Sequence, residues 1–260
     1  MQARFNIERD RDNKLFMRSY KNDFCLFQFH SQIEIYMIDE GEMELFVDGK
    51  LATVAAGQMS LALSYAPHAY KTPVASRSSV LLIPPYMCEE FISATKGKRL
   101  VYPFITDPAV CEEIRRYYSL LKEDGISRVR QIGYIYVILG IIMENVEFED
   151  RDNRLDADLG SRILFYIDEN YKSGITPASI ASHFGYTQSY ISRYFRSCFG
   201  ITLCKYLTVV KLRSAIMLMH EGKYDVTYCA LESGFSSMRT FYRSFRNEFG
   251  CSPKDHTSAY

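Results

Sequence analysis

The chain has 260 residues, 47% hydrophobic and 24% charged, which excludes disorder, a collagen-like fibre and a disulfide scaffold. Basic and acidic residues balance at 31 each, but unevenly: residues 1–150 carry 17 basic and 21 acidic side chains (−4), residues 151–260 carry 14 and 10 (+4). The basic half permits a polyanionic partner.

Seven cysteines with no Cys-x-x-Cys pair argue for a reducing cytoplasm and against a disulfide framework or a clustered zinc site. Met1–Asp23 is dense in charge and has no apolar core, so it does not read as a signal peptide. The most apolar stretch, Gln131–Met143, is uncharged for only 13 residues, short of the roughly 20 that a spanning helix needs. No membrane partner is expected. At roughly 150 residues per domain, the length predicts two domains in a cytoplasmic protein.

From Phe24 to about Pro85 short runs alternate with turn signals at Gly41, Gly57-Gln58, Ala66-Pro67 and Pro84-Pro85. Glu42–Val47 reads as a strand closed by Asp48-Gly49, a strong hairpin signal, with Lys50–Val54 as the return strand. A small β-sandwich or barrel over about 20–105 follows. After Pro108 the period changes. Val110, Ile114, Tyr117, Tyr118 and Leu121 fit a helix closing at Gly125. A second helix is predicted over Val129–Val146, where Ile132, Ile135, Leu139, Ile142 and Val146 step by 3, 4, 3, 4. That spacing suits a coiled-coil dimer seam and equally a helix packed on its own barrel; Val137, Ile138 and Ile141 widen its apolar face. The helical segment, about 109–147, completes a first domain over 1–150. The polar stretch Glu147–Leu159 reads as a linker, assigned to 151–159.

The rest, 160–258, is predicted to be all helix and contains a repeat. Ala181-x-x-x-Gly185 recurs as Ala230-x-x-x-Gly234, and Phe195-Arg196-x-x-Phe199-Gly200 recurs as Phe245-Arg246-x-x-Phe249-Gly250. In the first copy Thr176 caps a helix that has Pro177 at its first position and Ile180, Ala181 and Phe184 on one face. Gly185 turns the chain into a second helix, Gln188–Phe199, with Ile191, Tyr194, Phe195 and Phe199 as its inner stripe. In the second copy Asp225 caps a helix through Ser233, Gly234 turns, and Ser237–Phe249 follows with Phe241, Phe245 and Phe249 inward. A long apolar helix over Leu203–Met219 lies between the copies. Helix, tight glycine turn, helix is helix-turn-helix grammar, placed at about 177–199 and 226–249. A helical protein-interaction module shares that grammar, but two matched copies on the basic half favour nucleic acid.

Residues from about 160 to 253 resemble the C-terminal domain of the arabinose-regulator (AraC/XylS) family of bacterial transcription factors. The matching residues are Ile180-Ala181-x-x-Phe184-Gly185-Tyr186, Ser189-Tyr190-Ile191-Ser192-Arg193-x-Phe195-Arg196, Gly200-x-Thr202, Tyr206-Leu207, Lys211-Leu212-Arg213-x-Ala215 and Gly234-Phe235-Ser236-Ser237. Phe241-x-Arg243-x-Phe245-Arg246-x-x-Phe249-Gly250-x-Ser252-Pro253 closes the pattern. His256-Thr257 stand where the family usually has Tyr-Arg, a local departure at the domain's end. The resemblance implies that each second helix enters the major groove of double-stranded DNA while the central helix spaces them. Base-reading candidates are then Gln188, Ser189, Ser192 and Arg193 on the first and Met238, Arg239, Tyr242 and Arg243 on the second; Arg196 and Arg246 are phosphate candidates.

The N-terminal pattern Phe29-His30-Ser31-Gln32-Ile33-Glu34-Ile35, Glu40-Gly41, the Asp48-Gly49 hairpin, Ala56-Gly57 and Pro67-His68-Ala69-Tyr70 resembles the same family's cupin-type barrel. That resemblance implies a small-molecule effector, often a carbohydrate, with His30, Glu34, Tyr36, His68 and Tyr70 as candidate contacts and Tyr65 as a further stacking face. Metal-binding cupins place two His and a Glu near the first strand and a third His later. Here Gln32 takes the second place, leaving His30, Glu34 and His68. Two His and a carboxylate can bind iron(II), and a cupin enzyme with a helical appendage would rest on that set. Pocket lining or structural hydrogen bonding is the favoured reading, so no metal, cofactor or catalytic residue is assigned. The fold class expected is α+β: a cupin-like barrel with a helical dimerisation segment, then an all-α domain with two helix-turn-helix motifs. The partners expected are DNA, an effector, a second copy of the chain and, for an activator, RNA polymerase.

Overall fold

A computed structural model describes residues 4–6, 14–150, 159–220 and 222–258. The chain forms two compact units, Met1–Asp156 and Ala157–Tyr260.

The first unit contains strands β1 Arg4–Phe5, β2 Phe16–Lys21, β3 Phe24–Phe29, β4 Ile33–Val47, β5 Lys50–Ala55, β6 Met59–Ala62, β7 His68–Lys71, β8 Ser76–Ile83, β9 Lys98–Leu100, β10 Phe104–Ile105 and β11 Phe148–Asp150. Its helices are α1 Glu89–Ala94, α2 Pro108–Leu120 and α3 Arg128–Asn145. Where the sequence marks a turn at Gly41, the chain instead continues as one 15-residue strand, β4. Its first half pairs with β6 and β8, its second with β5 and β7. The barrel is therefore two sheets folded on each other through one bent strand, not a closed ring. Gly41 sits at the bend with φ +74°, and a Cβ there would run into the Ala75 carbonyl. The predicted hairpin closes at Asp48-Gly49, both in the left-handed region.

The side-chain period of two sorts β4 between two cores. Ile33, Ile35 and Met37 join Leu81, Ile83 and the helices; Tyr36, Ile38 and Leu45 face the interior between the sheets. On α3 the seam positions Ile135, Leu139 and Ile142 are fully buried in the helix–sheet core, with Ile132 and Val146 packed against it. The 3-4-3-4 stripe thus packs inside the unit, the second of the two readings that its spacing allows. The polar stretch expected to begin the linker instead forms β11, antiparallel to β9. Residues 151–158 of the expected linker lie outside the described residues.

The second unit contains α4 Leu159–Asn170, α5 Pro177–His183, α6 Gln188–Phe199, α7 Leu203–His220, α8 Val226–Glu232, α9 Met238–Phe249 and α10 Pro253–Ser258. Helix α7 is apolar nearly all round because it is a core helix: Tyr206, Leu207, Val210, Leu212, Ala215 and Ile216 are buried along its length. Phe195 of α6 meets Tyr206 near its start, at a ring distance of 5.5 Å. Ala230, Phe235, Phe241 and Phe245 cluster on Leu212, Ala215 and Ile216 further along. His256 stacks edge-on against Phe249 at 4.9 Å, so the departure at the domain's end stays local.

Gly185 and Gly234 both lie at positive φ, but only Gly234 is crowded, facing the Tyr171 carbonyl and Lys172 backbone. We expect Gly185→Ala to cost about 1–2 kcal/mol, the left-handed penalty alone. Gly234→Ala should cost clearly more, as read by chemical denaturation of the intact chain; equal losses would mean that Tyr171 gives way.

Candidate nucleic-acid interface and buried polar cluster

The two helix-turn-helix copies are built alike, bond by bond. Thr176 Oγ1 accepts from Ser179 N, and Ser179 Oγ accepts from Thr176 N in return, a capping box. Asp225 Oδ1 accepts from Tyr228 N at 2.7 Å at the same place in the second copy. Each first helix ends in a Schellman turn: Tyr186 N donates to Ala181 O, and Phe235 N to Ala230 O. Thr187 and Ser237 then cap α6 and α9 through Tyr190 N and Thr240 N. These local bonds fix the angle at which α6 and α9 leave the core.

Gln188, Ser189, Arg193 and Arg196 are exposed on α6, and Ser192 is half-buried. On α9, Arg239, Tyr242, Arg243 and Arg246 are exposed. Met238 is half-buried and packs against the phenylalanine cluster, so its outward placement from sequence is corrected. Arg239, Arg243 and Arg246 follow each other at i, i+4, i+7 and share one helix face. Among the described residues, none of the five arginines is paired with a carboxylate. A stack that the sequence reading missed runs alongside: Tyr186, Tyr190 and Tyr194 lie face to face at 4.8 and 6.1 Å. Their i, i+4, i+8 spacing was the available signal.

In the first unit, four of the five effector candidates form one hydrogen-bonded cluster. Glu34 points inward from β4. His30, from the loop before β4, places Nε2 2.9 Å from Glu34 Oε2; His68, the first residue of β7, places Nε2 3.5 Å from the same oxygen. Tyr70 donates its hydroxyl to Glu34 Oε1 at 2.7 Å. Each imidazole turns Nδ1 to a main-chain carbonyl, His30 to Gln32 O at 3.2 Å and His68 to Ala66 O at 2.9 Å. Tyr36 lies against Tyr70 with its ring tilted and the centroids 4.2 Å apart, but its hydroxyl bonds Asp23 and Ser78 instead. Tyr65 is buried at φ +62° and donates its N–H to His30 O. Gln32 does not enter the cluster: its Nε2 donates to Lys14 O, and its Oε1 is buried without a partner among the described residues. Gln28 does, with Nε2 3.3 Å from His68 Nε2. A separate open cleft of about 220 Å³ lies beside Tyr102, Asp107, Asn145 and Glu147.

Burial alone would raise the Glu34 pKa, but His68, His30 and Tyr70 overcome it and hold the carboxyl at about 2. Burial, only partly opposed by Glu34, brings the His68 imidazole down to about 4. Burial also raises the Tyr70 and Tyr36 hydroxyls. Near neutrality the cluster therefore holds an ionised carboxylate beside a neutral His68.

Residues 180–258 match the family described as "Helix-turn-helix domain". The chain is similar to the melibiose operon regulatory protein of Escherichia coli K12, 20% identical over 248 residues that span 88% of this chain and 82% of that one. It is also similar to the virulence regulon transcriptional activator VirF of Yersinia enterocolitica, 24% identical over 153 residues, 58% of this chain and 56% of that one. Among solved structures, ToxT from Vibrio cholerae O395 is similar at 13% identity, covering 94% of this chain and 97% of that one, with a TM-score of 0.41. The second unit is an AraC-type helix-turn-helix domain. The chain as a whole is similar to bacterial transcription regulators. No described helix is long and apolar enough to cross a membrane.

Both pKa shifts make the first unit acid-sensitive. The unfolded chain takes up the His68 proton near pH 6.5 and the folded one only near 4, so stability falls as pH drops through that window. Glu34 adds a further loss between about 4.5 and 2. Melting temperatures of the chain and of His68→Asn across pH 7.5 to 4 check this; the variant should show the flatter profile.

Proposed function

We propose that the chain is a cytoplasmic, effector-controlled transcription regulator that reads two successive major-groove segments with α6 and α9. The observation that carries this is the duplicated cap–turn–helix unit on one core helix, each copy presenting arginines that have no carboxylate partner among the described residues. Arg193, Arg239 and Arg243, with Gln188, Ser189, Ser192 and Tyr242, are the base-reading set; Arg196 and Arg246 bind phosphate. The polar interior of the first unit around His30, Glu34, Tyr36, His68 and Tyr70 is where a small effector acts, and the relative named for the melibiose operon favours a carbohydrate. The chain acts as a homodimer, approaches RNA polymerase where it activates, and carries no catalytic residue.

The test is binding to duplex DNA from around its own gene, against random duplex, as salt is raised. A specific complex that survives competitor, with a salt slope of several phosphate contacts, supports the reading; no preference for any duplex refutes it. Arg239→Ala should cost roughly 1–3 kcal/mol on the specific site and little on random duplex. Arg246→Ala should weaken both alike and lower the salt slope by about one contact. Equal loss on both duplexes for Arg239→Ala would remove it from the base-reading set.

A further inference from the structure

We propose that two copies of the chain meet in solution through the outer face of the sheet formed by β3, β7, the second half of β4, and β5. An antiparallel sheet with one buried face carries polar residues on the other. Here β4 turns Met43, Leu45 and Val47 inward, and the alternate position, Phe46, outward. Phe46 is paired with Ala69 of β7 on one side and with Leu51 of β5 on the other. A bulge in β3, between Cys25 opposite Tyr70 and Gln28 opposite His68, sets both Leu26 and Phe27 against Ala69. Phe27 meets Phe46 edge-on at 5.0 Å. One apolar row therefore crosses four strands. Leu26 and Leu51 at its two ends are 63% and 72% exposed, and Phe24, one row along, is 64% exposed. A contiguous apolar strip of this kind marks an association surface.

The charges on this face select a second copy as its occupant. In the same strand order, the neighbouring row reads Phe24, Lys71, Glu44, Thr53. Lys71 Nζ lies 3.6 Å from Glu44 Oε2, and both side chains are exposed. A two-fold axis parallel to the strands, between β7 and β4, lays a second sheet on the first with the strand order reversed. Phe46 of each copy then covers Ala69 of the other, a large side chain on a small one, and Leu51 of each meets Leu26 and Phe27 of the other. Lys71 of each copy comes over Glu44 of the other, so four charges alternate and none faces its like. That is the self-complementarity a two-fold contact requires, and a partner of different sequence would not require it. Sheets packed face to face lie about 10 Å apart with strand directions within about 30°, which suits an axis along the strands. The inference rests on the homodimer reading and deepens it by naming the surface.

The test is sedimentation equilibrium of the full chain over a concentration series, with circular dichroism to confirm that each variant is folded. The wild-type chain is expected to dimerise. Leu51→Glu, at an exposed position, should weaken the dimer roughly tenfold or more by placing a charge in the apolar row. Lys71→Glu and Glu44→Lys, each bringing like charges together, should weaken it likewise. Mixing these last two variants should restore association as a heterodimer, an acidic row against a basic one. A merely structural role for the Lys71–Glu44 pair predicts no such rescue, because neither chain regains the pair within itself. A dimer undiminished in all three variants would overturn the proposal and leave the homodimer reading standing on another surface. Failure of the mixed variants to associate, where each alone is folded and monomeric, would overturn it as well. A wild-type chain that stays monomeric at every concentration would overturn both the surface and the homodimer reading, and leave the strip to a different protein.

Discussion

Glu34 sets the terms for much of the first unit. A carboxylate taken out of water costs several kcal/mol unless charged or donating groups meet it there. Strand parity alone puts it inside: Ile33 and Ile35 must face the helices, so residue 34 must face the space between the sheets. Once it is there, partners become compulsory, and they come from two other segments. His30 reaches it from a loop held by the Tyr65 amide, and His68 reaches it with its other nitrogen against Ala66 O. The positive φ of Tyr65 and the turn before β7 serve the orientation of those two rings. One buried charge thus shapes the entry to β4 and the entry to β7.

The second unit answers to a different constraint, the need to hold α6 and α9 on one core helix. Helix α7 supplies it by being buried along most of its length: Phe195 seats on its first half, and the Phe241 and Phe245 stripe on its second. Two ion pairs tie it further, Lys205 to the buried Glu248 of α9 and Arg213 to Asp168 of α4. A buried pair adds little net stability, but breaking one leaves an uncompensated charge, so such pairs act to fix position. The reading side chains can then be long and solvated, because their backbones are fixed beneath them.

What was legible in the sequence was what short-range chemistry decides. Thr176, Pro177, Asp225, Ser237, Gly185 and Gly234 announce caps and turns within four or five residues, and the helix-turn-helix copies followed from them. The Asp48-Gly49 hairpin was equally plain. What failed depends on pairing over distance. Gly41 reads as a turn, yet its left-handed φ serves a bend that lets β4 carry on into a second sheet. The α3 stripe left a dimer seam and a helix packed on its own barrel equally open, because a period cannot say whether the facing surface belongs to the same chain. Phe148–Asp150 looks like linker because its partner, Lys98–Leu100, lies some fifty positions earlier. Gln28, which no local pattern singles out, joins the cluster from β3, across the sheet from His68.

The two units respond to different variables, and that limits how one can govern the other. The first is sensitive to protons; the arginines of the second, on the proposed function, are sensitive to salt through counterion release. A ligand in the first unit alters DNA affinity only to the extent that it prefers one DNA-binding state over another. A tenfold change in operator affinity needs about 1.4 kcal/mol of such preference. The quantity that governs regulation is therefore the difference in a ligand's affinity between the two states.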